Sequence, residues 1–355
     1  MTILVFPSSL EASARFAEEA HRWGQRVIGA SSLDVDPYAA HFDSWERLPF
    51  IGDMGFFDSL GALIDRQKIN SLFTPHPATF NFLAAELPSR LPRLSLVGEG
   101  PYKSEMRRIE DALERARLAL PAIGAFGVAA RPLPVQFVAG LLLQMERLYG
   151  QCSLEKALAA CAIAPSAVKG DVVEIGSLFG KSTYVLNRLA SYCGIGATLA
   201  VDPWSLEIAV QHDAPPDIQR APSNWNWETV HQGFLVNMLG CASPPLNYTR
   251  MASAEAYACY CAKPEVTSPE FGTTSFSGSI AILHIDGNHD EAAVAEDFDL
   301  WGRRLVPGAW IIFDDYNWPH GDGPRKVADR AISHYGARIR RHFVAGGALF
   351  LNIAG

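Results

Sequence analysis

Residues 172–183 read Val-Val-Glu-Ile-Gly-Ser-Leu-Phe-Gly-Lys-Ser-Thr: an apolar run carrying an acid, then two glycines bracketing a turn. Apolar residues at helical spacing follow through Tyr184–Leu189. A buried strand that runs through a tight turn into a helix is a building unit of parallel α/β sheets. Glycine lets the backbone pass close to a ligand, and a helix start presents N–H groups without intrahelical partners.

Two kinds of ligand suit such a turn. A triphosphate loop of the form GxxxxGK[ST] needs a glycine where this chain has Ile175, so Gly180-Lys181-Ser182 is a near miss. The spacing Glu174-x-Gly176-x-x-x-Gly180 suits S-adenosylmethionine (SAM), with the acid toward the methionine end and the glycines making room. A merely structural turn remains open. The next apolar run, Ala197–Val201, ends in Asp202, placed to accept hydrogen bonds from two ribose hydroxyls. A helix cap after Pro203 is the plain alternative for that acid.

Further along, Leu246–Met251 reads as a third strand, followed by Ala252-Ser253-Ala254-Glu255, where a Rossmann-like fold meets adenine by analogy. Ala281–Ile285 runs into Asp286-Gly287-Asn288-His289-Asp290, and Trp310–Phe313 into Asp314-Asp315-Tyr316. Ligands of open parallel sheets gather at the carboxyl ends of the strands. Three carboxylates meeting there repel unless they are paired or hold a hard cation, and oxygen ligands select Mg²⁺, Mn²⁺ or Ca²⁺. Helix capping and salt bridges to Arg325 or Lys326 are the alternative.

At 355 residues the chain is long enough for two domains. Strand-like and helix-like segments alternate from Ile3–Phe6 to Leu94–Val97, which predicts a small parallel α/β domain over 1–125. Ser8 and Glu11 have capping-box spacing. Glu105–Leu120 reads as an exposed helix, broken by Pro121, Gly124, Gly127, Pro132 and Pro134. Residues 126–165 read as a helical linker and 166–355 as a second α/β domain. Two inserts, Trp204–Trp227 and Tyr257–Ser277, read as loops over a substrate pocket. His212, His231 and His320 are further candidate pocket histidines. The net charge of −8, with no run of Lys or Arg, argues against nucleic-acid phosphate and acidic lipid as partners. Six cysteines without a paired CxxC frame read as reduced and packed. No apolar run reaches the roughly 18 residues of a membrane span, and the expectation is a soluble cytoplasmic protein.

The blocks VVEIGSLFGKST, AVDPW, LHIDGNHDEAAVAEDFDLW and LVPGAWIIFDDY together resemble a metal-dependent subfamily of class I SAM-dependent small-molecule O-methyltransferases. Its relatives act in the cephalosporin pathway and on macrolide and aminocoumarin sugars. The resemblance covers about 166–355. It implies that Glu174, Gly176 and Asp202 hold SAM, that Asp286, Asp314 and Asp315 hold Mg²⁺ (or Mn²⁺), and that His289 is the general base. With Ser177, Gly180, Ser182 and Thr183 of the turn and helix start, Ser253 and Asp286 complete the expected cofactor contacts. The acceptor would be a hydroxyl of a small molecule. Many relatives carry an acidic or small residue at position 288 and Ser-Tyr after the histidine, where this chain has Asn288 and Asp290-Glu291, so the substrate side stays open. The first domain loosely resembles the small domain that precedes an ATP-grasp unit, though none follows; a structural, oligomerising or substrate-covering role is expected of it, with an independent ligand site as the alternative. The competing functions are a P-loop-like ATPase and a non-catalytic SAM-binding scaffold.

Overall fold

The structure, a computed structural model, describes residues 2–128 and 131–354. It divides into two compact units, 1–111 and 112–355. The first holds β1 (Thr2–Val5), α1 (Glu11–Arg22), β2 (Arg26–Ser31), β3 (Ser44–Arg47), α2 (Phe56–Gln67), β4 (Ser71–Phe73), α3 (Pro77–Arg90) and β5 (Ser95–Leu96). Its sheet has the order β3-β2-β1-β4-β5 and every pair is parallel. Leu4, Ile28 and Leu72 sit on one face with Phe56, Leu60 and Leu83 of the helices, the two-layer burial that alternating segments require. The capping box at Ser8 does not form. Leu10 is the N-cap, and Ser8, fully buried, turns its hydroxyl to Asp36 instead.

Helix α4 (Pro101–Ala125) contains the unit boundary and runs through Pro121, so the expected break at that proline is absent. Residues 129–130 of the expected break lie outside the described residues. The segments read as connectors are core elements: in α5 (Val135–Met145) and α6 (Leu154–Ile163), Leu142, Ala157 and Cys161 join the same cluster as Val172, Tyr184 and Phe350.

The second unit continues with β6 (Asp171–Ile175), α7 (Lys181–Cys193), β7 (Thr198–Val201), α8 (Leu206–Ala209), α9 (Pro216–Arg220), α10 (Trp227–Cys241), β8 (Leu246–Thr249) and α11 (Ser253–Ala262). Then come β9 (Glu265–Ser268), β10 (Gly272–Ser275), β11 (Ile280–Ile285), α12 (Glu291–Trp301), β12 (Leu305–Phe313), α13 (Gly323–Tyr335), β13 (Ile339–Ala345) and β14 (Ala348–Ile353). The seven-stranded sheet has the order β13-β14-β12-β11-β6-β7-β8. Only β14 runs against its neighbours. This is a Rossmann-like α/β sheet, with both faces buried and strands such as Val172–Ile175 and Ile280–Ile285 wholly inside.

The sheet order reverses beside β6, so β6, β7 and β11 end at the crevice where such sheets bind ligands. The 257–277 insert is not a pocket loop. It holds the end of α11 and the β9–β10 hairpin, tied to the sheet edge by Asn247, whose amide donates to the carbonyls of Val266 and Gly272, each at 2.9 Å. Val266, Thr267, Thr273 and Thr274 favour a strand, which outweighs the loop signal of the neighbouring glycines and serines. No helix among the described residues is long and apolar enough to cross a membrane. The six cysteines are free.

Candidate active site

A cavity of about 410 Å³ opens at the carboxyl ends of β6, β7 and β11. Gly176, Ser177 and Ser182 of the glycine turn, Asp202, Ser253, Asp286, His289 and Asp315 all contribute to its wall. The sequence-predicted residues Glu174, Gly180, Thr183 and Asp314 stand behind that wall.

Glu174 is fully buried, and its Oε2 accepts from the Ser177 hydroxyl at 3.0 Å and from the Thr183 hydroxyl, while Oε1 meets His284 Nδ1 at 3.0 Å. Burial disfavours its charge, yet the His284 hydrogen bond and ion pair carry its carboxyl below the usual range. Glu174 thereby fastens the glycine turn to the sheet from behind. Gly176 has φ 84°, and a Cβ there would overlap the backbone carbonyl of Asp286. This glycine is needed for close approach of two strand ends as well as for ligand room. Gly180 (φ 87°) is the N-cap of α7 and leaves no room beside Met238, whose Cε would stand 2.7 Å from a Cβ.

Asp202 braces the turn from the other side. Its Oδ2 accepts from the backbone amides of Ser177 (2.9 Å) and Leu178 (3.0 Å), and Oδ1 from Trp204 (2.7 Å). Leu178 (φ 48°) and Trp204 (φ 45°) both hold left-handed conformations, which cost free energy in a non-glycine residue. The Trp204 indole donates to the Leu178 carbonyl at 2.8 Å, so the two strained residues and Asp202 form one knot. Burial raises the Asp202 carboxyl against the lowering effect of these amides.

The three acids expected to share one ion do not form a single donor set. Asp286 and Asp314 lie with His284, whereas Asp286 and Asp315 lie with His289, each set having ligand atoms within 4.8 Å. Asp315 has φ 52°, and the two adjacent carboxylates serve different groups. Asp314 is already paired. The ammonium of Lys156, from α6, bonds to its Oδ2, and His284 Nε2 stands 3.3 Å from the same oxygen. Lys156 is also 3.7 Å from Asp286. Burial opposes the charges here, but mutual attraction prevails: Lys156 is raised, Asp314 falls well below the carboxylate range, and His284 is raised to about 10 by Asp314 and Glu174. Lys156, 6% exposed, and His284, 2% exposed, are site residues that the sequence does not single out.

The outer set is arranged differently. His289 Nε2 lies 3.0 Å from Asp315 Oδ2, its ring meets Trp318 edge-on at 4.6 Å, and its Nδ1 is buried without a partner. A Cβ on Gly323, at the start of α13, would overlap the His289 carbonyl, so α13 sits directly against the backbone of this residue.

Of the other histidines, His212 reaches the cavity wall, while His231 packs on Trp204 and His320 on Trp318 outside it. Asp297 is an additional wall residue, 5% exposed, whose carboxyl burial pushes up to about 7 despite a hydrogen bond from Ser253. Val294, Asp297, Phe298 and Trp301 form the buried stripe of α12, and an acid on such a stripe is the signal that could have found it.

Residues 173–316 match the family model of a methyltransferase domain. Among solved structures, the O-methyltransferase NovP is 12% identical over 53% of this chain and 73% of its own, with a TM-score of 0.39. The calicheamicin methyltransferase CalS11 is 14% identical over 72% and 94%, with a TM-score of 0.38. The methyltransferase MycE of the mycinamycin pathway is 14% identical over 52% and 45%, with a TM-score of 0.30. The second unit thus holds the segment, 173–316, that matches a methyltransferase domain.

Proposed function

We propose that the protein transfers a methyl group from SAM to a hydroxyl of a small molecule, with His289 as the general base. The observation that carries this reading is the state of His289. Its Nε2 points at a carboxylate, which fixes the proton on that nitrogen, its Nδ1 is buried with no partner, and the residue lines the cavity that also holds Asp202 and the glycine turn. A neutral imidazole in that tautomer has a lone pair on Nδ1 to receive the acceptor's proton. As the hydroxyl oxygen bonds to the methyl carbon, the sulfur–carbon bond breaks, the proton passes to Nδ1, and S-adenosylhomocysteine (SAH) leaves. The imidazolium so formed faces the charge of Asp315.

The cofactor reading rests on the backbone of 176–178, the hydroxyls of Ser177 and Ser182, and Asp202, with Ser253 toward the adenine end. Both oxygens of Asp202 are engaged with amides, and Oδ1, which accepts only one of them, keeps a lone pair for a ribose hydroxyl. Lys181 turns to the Gly150 carbonyl at 3.3 Å, away from a phosphate role, which disfavours the ATPase alternative.

A divalent cation fits the outer set alone. Asp286 and Asp315 offer oxygens suited to Mg²⁺ or Mn²⁺, while the inner set already holds the Lys156 ammonium. Held there, the ion would make a nearby hydroxyl more acidic. The test is calorimetry with SAM, SAH and ATP, followed by labelled methyl transfer to a panel of hydroxylated metabolites. Binding of SAH but not ATP, and a transfer rate that drops about 10²–10⁴-fold in His289→Ala, are expected; ATP binding without SAH binding would refute the reading.

A further inference from the structure

Helix α8 and the turn after it, residues 206–213, form part of the cavity wall, with Ile208, Val210 and Gln211 lining it. Nothing in α8 is buried, and four residues are too few to hold a helix alone. The segment is held instead by the turn that carries His289. Asn288 Nδ2 donates to the carbonyls of Ile208 and Val210, both at 2.8 Å. Asp290 accepts from the amides of His212 (2.9 Å) and Asp213 (2.8 Å), one on each oxygen. Asp213 Oδ2 in turn accepts from the Glu291 amide at 3.1 Å.

The exchange between Asp213 and Asp290 is unusual in form. Asp290 is the N-cap of α12, yet its side chain makes no bond to its own helix. A free N–H at the α12 start is satisfied by Asp213 of the strap, and Asp290 satisfies two amides of the strap. Asn288 and Asp290 thus flank His289 and both face outward to the same segment.

We propose that Asn288 and Asp290 are positioning residues that fasten 206–213 as a strap along the wall of the cofactor cavity, so that a single turn sets both that wall and the base of the site. The proposal rests on the SAM reading of that cavity. The strap delivers Gln211, whose Oε1 is buried without a partner, and that oxygen suits an O–H or N–H donor of a bound molecule.

Asn288→Asp keeps the shape but aims a carboxylate at two carbonyls. Asp290→Asn keeps one acceptor and turns an NH₂ toward an amide. Asp290→Glu, which retains both acceptor oxygens, is the rescue variant. Amide hydrogen exchange on the ligand-free protein should show 206–213 opening at least about tenfold faster in the first two variants and recovering in the third, with β6 and β12 unchanged. Stopped-flow tryptophan fluorescence with SAH should show dissociation faster by a similar factor and association changed less than about twofold. Unchanged exchange at 206–213, or protection lost equally at β6 and β12, overturns the strap. Failure of SAH to bind the unaltered protein overturns the cofactor reading instead, while the ligand-free exchange still decides the strap.

Discussion

Lys156 and Asp314 are 158 residues apart in the chain and form an ion pair buried on both sides. Removing one partner of such a pair leaves a charge in a poorly polarisable interior, which costs about 3–5 kcal/mol. Lys156→Met should therefore lower the unfolding free energy by about that much, and Lys156→Met combined with Asp314→Asn should recover part of it. Urea denaturation of the three proteins measures both. Equal stability of Lys156→Met and the parent would mean that His284, 3.3 Å from the same oxygen, neutralises Asp314 by itself.

Metal binding should follow the division into two sets. Electron paramagnetic resonance titration with Mn²⁺ should show affinity falling at least about tenfold in Asp286→Asn and Asp315→Asn, because each removes an oxygen ligand. Asp314→Asn should change it far less. A large loss in Asp314→Asn with none in Asp315→Asn would place the ion in the inner set, where it would compete with Lys156 for the same carboxylate.

Gly176 can be tested against a control in the same protein. Gly176→Ala meets both a left-handed φ and the Asp286 carbonyl, whereas Gly24→Ala has φ 68° with nothing within 4 Å of the new Cβ. The control should cost about 1 kcal/mol from backbone strain, and Gly176→Ala at least about 3 kcal/mol once overlap is added. SAH affinity should fall only at Gly176. Equal losses of stability would show that the strand ends can separate at little cost.

Asp297 gives a pH dependence with a definite sign. Its carboxyl rises from 3.8 to about 7 on folding, so the folded protein binds more protons than the unfolded chain between those values. Its contribution to stability is greatest below about pH 4, falls as pH rises through the window, and is level above about 7. Asp297→Asn should remove that slope and be more stable than the parent at pH 8, by up to about 4 kcal/mol at roughly 1.4 kcal/mol per unit. Thermal or urea unfolding from pH 4 to 8 reads this directly. A parent whose slope matches that of Asp297→Asn would show that the carboxyl is ionised within the fold.

The strand–turn–helix at 172–189 is legible because its signals are local: an apolar run, glycines at a turn and a helical period. The acids at 202, 286 and 314–315 are legible as strand ends for the same reason. Their partners are not. Lys156 sits in a helix that reads as a connector, and His284 sits inside an apolar strand, where a single polar residue gives no hint of the two acids beside it. The grouping of Asp314 with Lys156 and of Asp315 with His289 depends on the left-handed backbone at 315, which aspartate tolerates but does not announce. The C-terminal helix and the antiparallel strands β13 and β14 carry apolar patterns, but nothing in them fixes how they join the sheet. At the other end of the chain, the Ser8 spacing suits a cap and fails because a buried acid far along the chain competes for the hydroxyl.

The position of Lys156 has a consequence for inheritance and engineering. The matched domain begins at 173, so this cation lies upstream of the segment that a domain exchange would move. A graft of 173–316 into another protein would carry Asp286 and Asp314, along with His284, into their new setting without the lysine that pairs with both acids. Such a chimera would inherit an acidic pocket with an unmet demand for positive charge, and would have to find it in the host's own lysine, in a proton, or in a metal ion.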